Sequence, residues 1–266
     1  MADKSTVKLN KARLPEGMRI YAIGDIHGCR RELKALLKLI RKDLKNKPVD
    51  HHRLIFVGDY VDRGPDSKGV IDLLIKMKKR GAPVTCLMGN HEEKLIRAFT
   101  DIDRRKMSGF TKYGGLETLA SYGLEAKTVA RILGDKPGRA EFEKFSRKVR
   151  KHLGKKHMGF LAKLKTHTQE GDYFFCHAGV NPQRSLAEQE PVDLIWIREP
   201  FLSWEQPLEK VIVHGHTPRN RPQERDHRIN IDTACVYGET LTAVVLEGKK
   251  HRYLQVPAKK NYRGGD

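Results

Sequence analysis

The stretch RIYAIGDIHG, residues 19–28, is the most informative about the fold, because a short apolar run ends there in a glycine that is followed by Asp and His. The same order of residue types returns in RLIFVGDYVDRG, residues 53–64, and in PVTCLMGNHE, residues 83–92. Near-continuous apolar runs of this length are typical of strands covered on both faces. Between the runs, apolar residues recur every three to four positions over 33–40 and 70–77, which predicts helices. Alternating strands and helices predict an α/β fold with parallel strands in this part of the chain.

The rest of the chain divides into a helical part and a part rich in strands. From about residue 93 to 168 the pattern is helical and basic, and we interpret it as an insertion or cap within a single domain that spans residues 1–266. Apolar runs then return without helices between them, which predicts a second, mixed sheet. The tail at about 258–266 is polar, and we expect it to be flexible. The later predicted strands lie at 173–176, 211–213, 229–231 and 241–246.

Polar residues follow the predicted strands at five places. Besides the first three turns, CHAG at 176–179 and HGHTP at 214–218 each follow an apolar run. Since ligands of α/β sheets bind at the carboxyl ends of the strands, we expect the five turns to meet. Carboxylate, imidazole and amide groups together favour manganese, iron or zinc over calcium or magnesium. Two cations that share a carboxylate can hold both oxygens of an in-line displacement, so the residues predict a phosphoester hydrolase.

The five motifs GDIHG, GDYVDRG, GNHE, CHAG and HGHTP resemble those of the calcineurin-like metallophosphoesterase superfamily, and more narrowly the bacterial PPP-type serine/threonine protein phosphatases. The resemblance covers about residues 19–102 and 172–247. It implies an α/β fold, a four-layer αββα sandwich of two mixed β-sheets flanked by helices, with a dinuclear site at one edge. It also implies direct attack of a metal-bridging hydroxide on phosphorus.

The resemblance assigns metal-binding roles to individual residues. It implies two divalent metal ions, with Mn²⁺ as the first choice and Fe or Zn as alternatives. Asp59 would bridge both ions, and Asn90 would contact the substrate as well. The full set of implied metal ligands is Asp25, His27, Asp59, Asn90, His177 and His216.

The same resemblance implies which residues act on the phosphate. His91 would protonate the leaving oxygen while Asp62 orients its ring, a role that suits histidine because its pKa lies near working pH. Arg63 would bind phosphate oxygens with its planar guanidinium, and Arg198 would be a second such arginine. Tyr237 would lie over the site.

The sequence departs from the superfamily's motifs at a few positions, and these differences indicate which subset of the superfamily it resembles. The last motif ends in Pro218, where the wider superfamily has a second histidine, so one metal would lose a protein ligand, as in the protein-phosphatase subset. By strand alternation His214 points to the same side as His216, and we expect it to support the site or to pack in the core. The segment at 230–235 replaces the eukaryotic C-terminal signature.

Two kinds of phosphoester substrate remain open. The first is a phosphoserine or phosphothreonine protein, and the second is a dinucleoside polyphosphate such as diadenosine tetraphosphate, cleaved symmetrically by related enzymes. Those relatives usually have Ala in place of Asp62 and Asp in place of Glu92. The two residues therefore favour the protein-phosphatase hypothesis.

The charge of the chain allows a third hypothesis. The formal net charge is +19, and Lys127–Lys165 holds 13 Lys and Arg against 3 Asp and Glu. Such a segment can bind nucleic acid, or it can be a solvated helical face. Phe142, Phe145 and Phe160 have helical spacing and are expected in the core. With no apolar run near the ~18 residues of a membrane span and no disulfide pattern, we expect a cytoplasmic protein that does not bind membranes.

Overall fold

A computed structural model of the protein describes residues 6–100, 104–134 and 138–262. Within these ranges, ten strands form two five-stranded sheets. In chain order the strands are β1 (Met18–Ile23), β2 (His51–Phe56), β3 (Val84–Cys86), β4 (His167–Glu170), β5 (Tyr173–Cys176), β6 (Val211–His214), β7 (Gln223–Arg225), β8 (Arg228–Asn230), β9 (Thr240–Glu247) and β10 (Lys250–Pro257).

Both sheets are mixed. The first has the order β10-β9-β1-β2-β3, in which β1, β2 and β3 are parallel as predicted. The second has the order β4-β5-β6-β8-β7, with parallel central strands and antiparallel edges. The strand predicted at 241–246 joins the first sheet, antiparallel to β1, and not the second sheet as expected. Its side chains are buried on both faces, which suits a place between β1 and β10.

Strand alternation explains how the sheets pack. In β1, Ile20 and Ala22 face the second sheet, where they meet Phe175 and Val213. The residues between them, such as Tyr21, point to the opposite side and join the core under the helices. A third apolar cluster lies on the far face of the second sheet. The result is the αββα sandwich that the family resemblance implies.

The described part of the chain also contains eight α-helices, α1 (Arg30–Asn46), α2 (Ser67–Lys79), α3 (Asn90–Thr100), α4 (Arg104–Phe110), α5 (Leu116–Ser121), α6 (Ala126–Gly134), α7 (Arg139–Leu161) and α8 (Pro191–Trp196). Asp66 caps α2, as its Oδ1 accepts a hydrogen bond from the Gly69 N–H at 2.8 Å. Helices α3 to α7 occupy the segment predicted to be helical, while the short α8 was not predicted. No helix among the described residues is long and apolar enough to cross a membrane.

Parts of two predicted segments lie outside the described residues, namely 101–103 and 135–137 of the basic helical segment and 263–266 of the tail. Within the described part of that tail, the Tyr262 hydroxyl donates to Glu32 Oε1 at 2.9 Å, so the chain is held against α1. In the basic segment, Phe142 and Phe145 are buried in the core as predicted.

Candidate metal centre

Hydrogen bonds between loops bring the five turns together at one edge of the sandwich. The Asp59 carbonyl accepts the His27 N–H at 2.8 Å, and the His177 carbonyl accepts the Gly215 N–H at 2.8 Å. Glycine is required where the backbone meets a carboxylate, because a Cβ on Gly215 would collide with Asp25 Oδ1. The strand ends therefore form one continuous polar pocket.

Asp59 lies at the centre of this pocket. Its Oδ2 is 3.4 Å from His27 Nε2 and 3.9 Å from His91 Nε2, and its Oδ1 is 3.4 Å from His177 Nε2. Burial alone would raise the pKa of Asp59, but His177 and His91 outweigh it and hold the pKa well below its usual value. Two sets of three groups close enough to hold a cation share this residue: His27, Asp59 and His91, and Asp59, His177 and His216.

The second set is completed by an amide. Asn90 Oδ1 lies 3.0 Å from His177 Nε2 and 3.1 Å from His216 Nδ1. The other ring nitrogen of His216, Nε2, is buried and has no hydrogen-bond partner. A buried polar atom without a partner is unfavourable, so a ligand is expected there. The donor set and this unpartnered nitrogen both fit a divalent metal.

Asp25, another of the predicted ligands, lies next to the second set of groups. Its carboxylate accepts the His216 N–H at 3.1 Å, and it belongs to neither three-group set, whereas His91 belongs to one. Burial, followed by Asp232 and Asp59, raises the pKa of Asp25 well above normal. Three neighbouring buried carboxylates repel one another, and a cation between them would relieve this repulsion.

Asp232 was missed by the sequence-based assignment of site residues. It follows β8 after one apolar residue, as the predicted ligands follow their strands, and burial raises its pKa to about 6. That pattern was visible in the sequence, but the segment was interpreted only as a substitute for the eukaryotic signature. His214, by contrast, is fully buried against Phe201, which confirms a core position.

The turn after β2 carries Asp62, which is fully buried. Its Oδ2 is 2.7 Å from His91 Nδ1, and its Oδ1 accepts a hydrogen bond from Thr118 Oγ1 at 2.7 Å. Burial raises the pKa of Asp62, against the effect of the His91 contact. Thr118 belongs to α5, so the helical segment contributes directly to the pocket. No motif or periodicity in the sequence indicates this contact.

The backbone of the site is strained at several non-glycine residues. Positive φ angles occur at His27 (43°), Asp59 (53°), Asp62 (73°), Arg63 (68°) and His216 (66°). Such conformations cost about 1–3 kcal/mol each and persist only where surrounding contacts enforce them. Their concentration in this pocket makes it the candidate functional site.

Glu92 forms several of the hydrogen bonds that hold the backbone of the site in place. Its two carboxylate oxygens accept the backbone N–H groups of Asp59, Tyr60, Val61 and Gly89 at 2.7–3.2 Å. Because its carboxylate accepts hydrogen bonds from backbone N–H groups of two turns, Glu92 fixes the loops that carry the ligands. It is fully buried.

The predicted phosphate-binding residues lie beside the pocket. Arg63 Nη1 donates to His27 Nε2 at 2.6 Å, and its guanidinium carbon is 5.8 Å from the ring centre of Tyr237. Arg198 is exposed, and its Nη2 donates to the carbonyl of His216 at 3.4 Å. Arg63 therefore lies beside His27, and Arg198 lies beside His216.

Comparison with known proteins agrees with this geometry. A family model described as calcineurin-like phosphoesterase matches residues 18–245. The chain belongs to the calcineurin-like phosphoesterase family, whose members use a dinuclear metal centre.

Curated relatives are more specific. A protein of Geobacillus thermodenitrificans is 34% identical over 238 residues, covering 85% of this chain and 90% of its own. One of Oceanobacillus iheyensis is 29% identical over 246 residues, covering 85% and 88%. Both are named bis(5′-nucleosyl)-tetraphosphatase PrpE, asymmetrical.

Solved structures share the fold. A putative diadenosine tetraphosphatase superposes with a TM-score of 0.60 at 25% identity, over 93% of this chain and 98% of its own. A serine/threonine phosphatase from Saccharomyces cerevisiae gives a TM-score of 0.56 at 16% identity, over 95% and 86%, and supports the fold alone.

Proposed function

We propose that this protein is a metal-dependent dinucleoside polyphosphate hydrolase that acts on substrates of the diadenosine tetraphosphate type. The observation that carries the proposal is the name shared by relatives that match about 85% of the chain. Symmetric cleavage was expected for this class of substrate, but those relatives are named asymmetrical. We therefore propose that the products are a nucleoside monophosphate and a nucleoside triphosphate.

The sequence features that favoured a phosphoprotein substrate do not bear on substrate choice. Glu92 contacts backbone N–H groups, and Asp62 contacts His91 and Thr118. Both carboxylates are fully buried. Either residue can serve any phosphoester, so the preference for phosphoserine and phosphothreonine loses its basis. Neither curated relative described above is named as a nucleic-acid-binding protein. The names of these relatives therefore do not support the third hypothesis, in which Lys127–Lys165 binds nucleic acid.

We propose that the metals, with Mn²⁺ the first choice and Fe or Zn as alternatives, are held by the six predicted ligands on the two sides of Asp59. When bound, they would supply positive charge at the phosphate and activate water. The four free, buried cysteines agree with the cytoplasmic location that we also propose.

The side chains of the protein would orient the phosphate and move the proton. Arg63 and Arg198 would bind its oxygens from either side, with Asn90 nearby and Tyr237 against Arg63. His91, held through Nδ1 by Asp62, would donate a proton from Nε2 to the leaving oxygen.

The test compares diadenosine tetraphosphate with a phosphothreonine peptide, both with Mn²⁺ added, and identifies the nucleotide products by chromatography. We expect rapid formation of AMP and ATP and slow release of phosphate from the peptide. The Asp59→Asn variant serves as the inactive control. Rapid peptide dephosphorylation with background tetraphosphate cleavage would contradict the proposal, and two molecules of ADP as product would contradict its asymmetry.

A further inference from the structure

Lys94 lies on α3, one turn after His91, and its ammonium is placed between two aromatic rings. Nζ is 3.7 Å from the ring centre of Tyr113 and 4.7 Å from that of Trp196. A lysine side chain is normally mobile and well hydrated, so holding it in one place costs conformational entropy. Cation–π contacts with two rings offset that cost and fix the charge at one position.

Both rings belong to the rim of the metal centre. The Trp196 ring lies 6.4 Å from the His216 ring and donates a hydrogen bond from Nε1 to Glu93 at 3.2 Å. Tyr113, which is 45% exposed, precedes Gly114, whose carbonyl accepts the Arg63 N–H at 2.9 Å. The rings therefore come from two separate parts of the chain that each contact a residue of the centre.

The electrostatic surroundings connect Lys94 to the centre. Burial lowers the pKa of Lys94, the carboxylates of Asp59 and Asp62 oppose this shift, and the Arg63 guanidinium adds to it. Within the described ranges, no ion pair joins the Lys94 ammonium to a carboxylate. Its charge is therefore not neutralised by a close partner and is available to an anion near the metals.

We infer that Lys94, held by Tyr113 and Trp196, binds the phosphate chain beyond the phosphate at the metal centre, an inference that rests on the proposed function. A polyphosphate carries further negative charges next to the scissile phosphate, whereas a simple phosphomonoester does not. Arg63 and Arg198 serve the scissile phosphate, and Lys94 adds a third cation on the same rim. The site thus selects polyphosphates over monoesters.

The test measures how inorganic tripolyphosphate and orthophosphate compete with p-nitrophenyl phosphate, with free Mn²⁺ kept saturating. The variant is Lys94→Met, which retains the apolar stem and removes the charge. Because Lys94→Met removes a charge-assisted hydrogen bond to the phosphate chain, we expect the inhibition constant for tripolyphosphate to rise by about 10- to 100-fold relative to that for orthophosphate. Lys94→Arg should restore part of the ratio. Tyr113→Leu, which frees the lysine, should shift the ratio in the same direction by less.

Lys76→Met is the matched control, because Lys76 lies in the last turn of α2 and lines a cavity with His52, away from the carboxyl ends of the strands. It should leave the ratio unchanged. Equal weakening of both inhibitors by Lys94→Met, or none, would overturn the inference. Failure of the wild-type protein to cleave diadenosine tetraphosphate would overturn the proposed function alone, because the inhibitor ratio does not depend on that reaction.

Discussion

Replacing His91 with Asn tests whether this residue donates a proton or binds a metal. His91 Nδ1 is 2.7 Å from Asp62, while Nε2 faces Asp59 at 3.9 Å, so the ring is placed either to donate a proton or to bind a cation. As a proton donor it contributes about 10²- to 10⁴-fold to the rate. Removing only its orienting partner, in Asp62→Asn, costs about 1.5–3 kcal/mol, or roughly 10- to 150-fold.

The assay compares phenyl phosphate with p-nitrophenyl phosphate, whose leaving group needs less protonation, and measures bound metal in the same samples. For His91→Asn we expect a loss of about 10²- to 10⁴-fold on phenyl phosphate, a clearly smaller loss on p-nitrophenyl phosphate, and unchanged metal content. His51→Asn, an exposed histidine at the start of β2, is the matched control. An equal loss on both substrates, together with the loss of one metal, would refute the proton-donor role and make His91 a ligand.

Three further variants test the surrounding structure. Asp59→Asn should lower the metal content measured by mass spectrometry and reduce turnover by at least about 10³-fold, since several kcal/mol of charge stabilisation are lost; near-normal turnover would rule out the shared carboxylate. Thr118→Val should reduce turnover by about 10- to 100-fold at unchanged metal content, because the hydrogen bond to buried Asp62 is lost, and Thr118→Ser should recover most of it. Asp43 accepts hydrogen bonds from Tyr21 and Arg252 that outweigh burial and lower its pKa. Its contribution to stability is therefore complete above its unfolded pKa of about 3.9 and is lost as the pH falls through the lower folded value. Urea denaturation should show Asp43→Asn to be less stable by about 1.5–3 kcal/mol at pH 7, with the difference disappearing in acid, and a difference that is constant with pH would contradict this assignment.

The strand ends were predictable because each is a local pattern. In RIYAIGDIHG, residues 19–28, the apolar run, the glycine and the two polar residues are adjacent in sequence, and parallel strands necessarily end on the same side of their sheet. The same holds for residues 53–64 and 83–92. The convergence of the predicted ligands around one pocket follows from these patterns together with the resemblance to a known family.

Other features depend on contacts between distant parts of the chain. Thr118 meets Asp62 across 56 positions, and no periodicity links α5 to the turn after β2. The place of β9 beside β1 also depends on pairing across most of the chain. The substrate preference drawn from the sequence, which the names of the relatives do not favour, had a different basis: Glu92 was treated as a marker of substrate class, although its carboxylate accepts backbone hydrogen bonds.

Anomalous diffraction from crystals grown with manganese tests the shared-carboxylate centre most directly. We expect two manganese peaks, one on each side of Asp59, with His27 near the first and Asn90, His177 and His216 around the second. A single peak, or peaks that do not share Asp59, would contradict the dinuclear centre on which the proposed chemistry depends.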